Sequence, residues 1–416
     1  MNNELLKDLE WRGLINDCTD IEGLGKTLNE KQVSLYCGVD PTGDSMHIGH
    51  LLPFLVLKRF QNAGHKPIVV IGGATGTIGD PSGKVAERQM QTLETIEHNV
   101  LCLQKQLKKI YGDTVTFANN YDWTHHVSIL DFLRDFGKSF NISQMIAKDI
   151  VKSRLETGIS YTEFTYQILQ AMDYNHLHEN YDCQLQIGGS DQWGNIVGGL
   201  DLIRKKQGHE AVAFGMTLPL ITKSDGTKFG KSESGAIWLD PEQTSPYEMY
   251  QFFINTADAD AIQFLKLFTF LTKDEILAIE TKFQAVPHER LAQKTLAYEV
   301  VKLIHGEAAI DQALRITEAL FADEIATLTS SEIEMGFKDV PNTTVSTDLS
   351  LVDTLVTLGA ASSKREAREF IANNSISING EKQNSLEFMV ESKNAIDGKF
   401  TVVRRGKKKY FLVKHG

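Results

Sequence analysis

Two short stretches of this 416-residue chain hold the side chains needed to handle phosphate. His47-Ile48-Gly49-His50 places two imidazoles three residues apart, just before a helical run through Leu51, Leu52, Leu55, Val56 and Lys58. The spacing predicts the first turn of that helix, with both rings on one face. A helix start also turns free N–H groups toward an anion. Pro53 fits only if the helix is just beginning, and Gly49 leaves room for a ribose or base to approach the backbone. As metal ligands the two histidines lack a nearby third, so no protein-held metal is expected. About 180 residues later comes Lys228-Phe229-Gly230-Lys231-Ser232, preceded by the wholly polar Thr222-Lys223-Ser224-Asp225-Gly226-Thr227. Its two lysines would clamp the charge that develops on a leaving pyrophosphate. Taken singly, the histidines could be packing at a helix start and the lysines a solvated loop.

Other glycine-rich segments fail as nucleotide motifs. In Gly79-Asp80-Pro81-Ser82-Gly83-Lys84-Val85 the spacing is wrong for a Walker loop, and Val85 stands where a hydroxyl is needed. Gly73, Gly76 and Gly79 do not make the dinucleotide pattern. A third polar set is more informative. Tyr166, Gln170 and Asp173 are spaced i, i+4, i+7 and share one helix face, with Phe164, Ile168, Ala171 and Met172 on the core side. Such a row is either a solvated face or the wall of a pocket.

Apolar runs at 33–39, 67–71, 115–118 and 183–189 read as strands that empty into glycine or turn signals. Strands alternating with helices predict an α/β fold, a Rossmann-like doubly wound parallel sheet with ligands beyond the carboxyl ends of its strands. The sheet domain is expected over 1–220 and a mobile lysine loop over 221–236. An all-helical domain follows over 237–330, then a polar linker over 331–349. A small α+β domain over 350–416 begins with helices and continues into short strands with Asn379-Gly380 as a turn.

Composition sets the broad class. Apolar residues are 42% and charged residues 23%, enough for large cores. Neither a signal peptide nor a membrane-crossing run is evident. Cys18, Cys37, Cys102 and Cys183 form no Cys-x-x-Cys pair, which suggests a reducing cytoplasm. The net charge is −11, yet residues 350–416 hold 12 basic against 7 acidic side chains. A basic tail on an acidic body suits a nucleic-acid contact.

Together, Asp40-Pro41-Thr42 before His47-Ile48-Gly49-His50, and Lys228-Phe229-Gly230-Lys231-Ser232, resemble the HIGH and KMSKS signatures of class I aminoacyl-tRNA synthetases. The lysine motif has the form typical of the bacterial tyrosyl enzymes. The likeness extends through Leu35-Tyr36-Cys37-Gly38-Val39, Tyr161-Thr162-Glu163-Phe164-Thr165-Tyr166 and Gly188-Gly189-Ser190-Asp191-Gln192-Trp193-Gly194-Asn195. The 350–416 block resembles an RNA-binding domain of the ribosomal S-four type.

The resemblance implies a ligase that activates L-tyrosine with ATP and transfers it to tRNA(Tyr). It implies that Tyr166, Gln170 and Asp80 hold the substrate ammonium, that Tyr36 and Asp173 meet the phenol hydroxyl, and that Gln192 lies near the carboxylate. Thr42 and His47 would contact the far phosphate of ATP, with Lys84, Arg88, Lys228, Lys231 and Ser232 completing the pyrophosphate clamp. Cys37, Gly38, Asp40, Gly49, His50, Gly189 and Asp191 would lie along the nucleotide. Mg2+ is expected to accompany ATP. Members are homodimers, and the stretch around Phe132, Leu133 and Phe136 is the expected interface; neither a membrane nor DNA is an expected partner. The alternatives are a tryptophanyl enzyme, or a catalytically inactive RNA-binding relative.

Overall fold

Each of the four apolar runs becomes a strand of one sheet. The computed structural model describes residues 3–82, 90–152, 154–155, 158–227, 229–232, 235–406 and 409–416, with backbone alone at 149–150 and 231–232. The strands are β1 (Asp17–Cys18), β2 (Ser34–Val39), β3 (Lys66–Ile71), β4 (Thr116–Asn119), β5 (Cys183–Gly189) and β6 (Phe214–Leu218). They are ordered β1-β6-β5-β2-β3-β4, and only the two-residue edge strand β1 runs antiparallel to its neighbour. The sequence reading did not include β1 or β6. Phe214–Leu218 is wholly buried, so it lacks the alternation that marks a half-exposed strand.

Four helices position the site: α1 (Leu51–Asn62), α2 (Leu93–Tyr111), α3 (Tyr161–Tyr181) and α4 (Trp193–Gln207). Helix α1 lies on β2 and β3, and Tyr111 at the end of α2 donates its hydroxyl to the Phe54 carbonyl of α1 (2.5 Å). Tyr36, Ile68 and Val70 instead pack with Tyr174, Leu177, Leu200 and Ile203 of α3 and α4. Gly199 lets α3 and α4 approach closely: a Cβ there would come within 3.0 Å of the Tyr174 ring. Tyr174 Oη then donates to the Phe214 carbonyl (2.7 Å), tying α3 to β6. Ile168, Ala171 and Met172 are buried in a second apolar cluster, so the polar face of α3 is set as its periodicity predicts.

The sheet doubles back between β2 and β5. Chain leaving β2 moves toward β3 and β4, whereas β5 leads to β6, which opens a crevice at their carboxyl ends.

The chain divides into two compact units, residues 1–243 with 255–296, and residues 244–254 with 297–416. The expected 237–330 block is therefore shared between them. Within the second unit, strands β9 (Asn342–Val345), β11 (Ile376–Ile378), β12 (Glu381–Gln383), β14 (Phe400–Arg405) and β15 (Lys409–His415) form a five-stranded sheet ordered β12-β11-β14-β15-β9. The short β10 (Leu349–Ser350) pairs with β13 (Met389–Val390). Residues 331–349 were expected to be a polar linker. Instead β9 adds a parallel edge to β15, so backbone pairing and the buried Val345 order a stretch whose side chains are mostly polar. Asn379 and Gly380 both have positive φ and turn β11 into β12, as expected.

Candidate active site

Tyr36 projects from β2 into the crevice, and Gly38 follows it without a side chain. The crevice holds a cavity of about 540 Å³ lined by Tyr36, Asp40, His47, Gly49, Tyr166, Asp173 and others. Of the sequence-expected residues, Thr42, His50, Cys37, Gly38, Asp80, Gln170, Gly189, Asp191 and Gln192 line it as well. Lys84, Arg88 and Lys228 lie outside the described residues, as do the side chains of Lys231 and Ser232.

Two polar chains organise the walls. Asn120 comes just beyond the carboxyl end of β4, and the Ala74 N–H fixes its amide by donating to Oδ1 (2.7 Å). Its Nδ2 donates both to Thr75 Oγ1 and to Asp173 Oδ2, each at 2.9 Å. Thr75 donates onward to Asp40 Oδ1 (2.7 Å), and Tyr166 Oη donates to Asp40 Oδ2 (2.9 Å). Trp123 Nε1 donates to Asp173 Oδ1 (2.9 Å). The second chain runs from Asp80, which accepts from Gln192 Nε2 (2.8 Å), to Gln170, whose Nε2 donates to Gln192 Oε1 (3.2 Å). Asn195 Nδ2 closes it by donating to Gln170 Oε1 (3.0 Å).

The electrostatics follow from this packing. Burial pushes the Asp173 carboxyl up to about 7; its bonds from Asn120 and Trp123 pull the other way, and Asp40 adds to the rise. Burial likewise raises Tyr36 and Tyr166, with Asp173 and Asp40 respectively as the next causes. Asp191 is raised by burial and by nearby Asp80. A lining with four aspartates favours a cation. The Cys37 thiol, pushed up to about 12 by burial, is no nucleophile. Tyr36 Oη is buried and finds no hydrogen-bond partner among the described residues. An orphaned hydroxyl at a cavity wall, beside a buried carboxyl, wants a ligand that both donates and accepts.

At the other end of the cavity the two signature motifs meet. His47 is not in the first turn of an α-helix as its spacing predicted. Its backbone is extended, and it caps a single 3-10 turn, Ile48–His50, by accepting the Gly49 N–H at Nδ1 (3.1 Å). His50 then precedes α1, which places Pro53 at the third helical position, where its missing N–H is harmless. The two rings still come together, stacked with centroids 3.6 Å apart. Strand β7 (Lys231–Ser232) pairs with β8 (Gly235–Ala236), and Ile48 N–H donates to the Ile237 carbonyl (2.8 Å). Gly230 has φ +91°, and a Cβ on it would lie 3.1 Å from the Gly49 nitrogen. Gly230 is thus needed for the backbones to touch, whereas a Cβ on Gly49 would collide with the His47 ring at 2.9 Å.

Sequence reasoning missed Thr75, Asn120, Trp123 and Asn195. Asn119-Asn120 directly after an expected strand was the available signal, since ligand-side groups follow strand ends. Trp123 carried none, because its partner Asp173 comes from a distant segment; Asn195 ends the stretch at 188–195 already singled out, but its bond to Gln170 spans 25 residues.

Residues 28–322 match the family model described as tRNA synthetases class I (W and Y), and residues 332–413 match that of the tyrosine–tRNA ligase SYY-like C-terminal domain. The chain is 62% identical over 416 residues to a tyrosine–tRNA ligase of Listeria monocytogenes, covering 99% of each chain. It is 59% identical to a tyrosine–tRNA ligase 2 of Bacillus cereus, covering 99% of this chain and 100% of the relative. Among solved structures, a C-terminally truncated mitochondrial tyrosyl-tRNA synthetase of Aspergillus nidulans matches with a TM-score of 0.69 and 37% identity, over 76% of this chain and 94% of that one. The chain belongs to the class I tRNA synthetases, and within them to the tyrosine–tRNA ligase family.

Proposed function

We propose that the cavity binds L-tyrosine with its phenol at Tyr36 and Asp173, activates it with ATP, and passes the tyrosyl group to tRNA(Tyr). The observation that carries the reading is the unpartnered Tyr36 Oη beside the buried Asp173. A phenol hydroxyl donates to the carboxylate and accepts from Tyr36, so both groups are satisfied. Phenylalanine leaves both wanting, and the indole of tryptophan offers no acceptor to Tyr36.

In this arrangement the substrate ammonium sits among Tyr166, Gln170 and Asp80, with Gln192 beside the carboxylate. That carboxylate attacks the α-phosphorus of ATP, its oxygen forming the new bond as pyrophosphate leaves. It is already ionised and needs no base, so the protein's contribution is positioning and charge stabilisation. His47 accepts at Nδ1, so in its neutral form the proton is assigned to Nε2, and that nitrogen to a phosphate oxygen. The same aspartates that favour an ammonium repel phosphates. Lys84, Arg88, Lys228 and Lys231, with the hydroxyls of Thr42 and Ser232, are assigned to offset that repulsion. Cys37, Gly38, Gly49, His50, Gly189 and Asp191 flank the nucleoside, and Mg2+ is taken to enter on the ATP phosphates. A terminal ribose hydroxyl of tRNA then attacks the tyrosyl carbonyl and releases AMP.

The basic 350–416 block is assigned to tRNA, and the cytoplasm, where tRNA is charged, is the proposed location. No helix among the described residues is long and apolar enough to cross a membrane. A homodimer is also proposed. Ile129, Leu130 and Leu133 are 74%, 72% and 50% exposed, in one stretch with the half-buried Phe132 and Phe136, and such an apolar group calls for a partner surface.

Pyrophosphate exchange tests the activity: without tRNA, tyrosine supports it, whereas phenylalanine and tryptophan do not; exchange with tryptophan alone would refute the reading. For assembly, sedimentation gives twice the 46.5 kDa chain mass, and Leu130→Glu shifts it toward one; a wild-type monomer at micromolar concentration would exclude the dimer. Asp173 supplies a pH test. Its folded value near 7 exceeds the unfolded value of 3.8, so the native state holds the extra proton in that window. Its contribution to stability therefore declines as pH rises from 3.8 toward 7, and levels off above. Between pH 5 and 7 the ligand-free melting midpoint of Asp173→Asn accordingly falls less steeply than that of the wild type. Equal slopes would show that Asp173 does not titrate there.

A further inference from the structure

Helix α5 (Asp258–Phe268), in the same unit as the cavity, touches the lysine-motif segment at two points and has no part in the chemistry so far described. At its first turn the buried Asp260 accepts the Ser224 N–H at Oδ1 (2.9 Å) and the Ser224 hydroxyl at Oδ2 (3.1 Å). One face further along, Phe264 and Phe268 hold the Phe229 ring, each with centroids 4.8 Å away, one edge-on and one stacked. Between these points the segment makes its own tight turn, with Thr227 donating through N–H and hydroxyl to Asp225 Oδ1 (2.8 and 2.6 Å). Phe229 is buried, and the next residue is Gly230, whose backbone meets Gly49.

The far end of α5 is fixed as well. Arg12 donates to the carbonyls of Lys266 (3.0 Å) and Leu271 (2.6 Å), and Arg59 of α1 donates to that of Thr269. Asp8 pairs with Arg12 at 2.8 Å. Helix α1 thus starts at the histidine motif and, through Arg59, grips the helix that grips the lysine motif. The two motifs are held in one frame from opposite ends.

We propose that Asp260 is a positioning residue for the adenylation step. By accepting both donors of Ser224 it fixes the chain that leads through Lys228 to Phe229 and Gly230, and so sets where the lysine motif stands relative to Gly49. Asp260 touches neither substrate; it acts through the backbone of the segment. A carboxylate accepting two bonds is a stronger tether than a neutral acceptor. The ring contacts hold the Phe229 end, and backbone bonds from Phe229 to Ile221 and from Lys223 to Thr227 close the segment on itself; Asp260 is what ties its Ser224 end to α5. The proposal rests on the cavity being the site of tyrosine activation.

The test is single-turnover formation of tyrosyl-adenylate by the full chain, together with equilibrium binding of tyrosine. Wild-type protein is assayed first; if it forms no adenylate, the functional reading of the cavity fails, and with it the premise of the proposal. Given wild-type activity, Asp260→Ala slows adenylate formation at saturating ATP by about tenfold while tyrosine affinity stays within about twofold. Asp260→Asn keeps the shape and one acceptor, and gives a smaller loss of the same kind. Adenylate formation within about twofold of wild type in both variants would overturn the proposal. So would tyrosine affinity and melting midpoint falling in step with the rate in both, since Asp260 would then serve the fold as a whole.

Discussion

Asp173 sits at 5% exposure, and a carboxyl group so placed stays charged only where donors surround it. Asn120 and Trp123 supply two N–H groups, and Asn120 is itself locked by the Ala74 N–H. The donors come from chain following β4, the carboxyl group from α3, and the facing hydroxyl of Tyr36 from β2. Only a sheet that turns back between β2 and β5 brings these together at an open crevice. The balance is deliberately incomplete in one sense: two donors do not fully offset the burial of Asp173, and Tyr36 Oη is left without a partner. In the proposed complex a ligand hydroxyl that donates to one and accepts from the other completes the set, and a ligand without that hydroxyl leaves both polar groups unpaired.

The upper end of the cavity depends on backbone rather than side chains. Gly230 lets two distant segments meet, Gly49 leaves room for the His47 ring, and His47 spends one ring nitrogen on holding the turn before α1. The negative lining deeper in the cavity explains why so many cationic side chains occur in the motifs around it. In the proposed reaction an ammonium and a triphosphate lie close together, and the two need opposite fields.

Most of the sheet could be read from the sequence because continuous apolar runs ending in glycine have few other uses. The run at 67–71, which empties into Gly72-Gly73, is of this kind; the polar row of α3 was legible as well, because Ile168, Ala171 and Met172 must face the core. The site proved harder. Tyr166, Gln170 and Asp173 were visible as a face, but nothing local says that Asp40 accepts from Tyr166 126 residues away. The His47 turn was misread because a spacing of three fits a 3-10 turn as well as an α-helix. The segment 331–349 looked like a linker since β9 is ordered by pairing with β15 near the chain's end, which no local pattern reveals.

The claim at the centre of this account is that Tyr36 and Asp173 read the phenol. Calorimetric titration of tyrosine and of phenylalanine into wild-type protein, Tyr36→Phe and Asp173→Asn measures it without any chemistry. The account predicts that wild type favours tyrosine by at least about tenfold, and that each substitution narrows the gap chiefly by weakening tyrosine. Phenylalanine binding as tightly as tyrosine, or a gap that neither substitution changes, would contradict it.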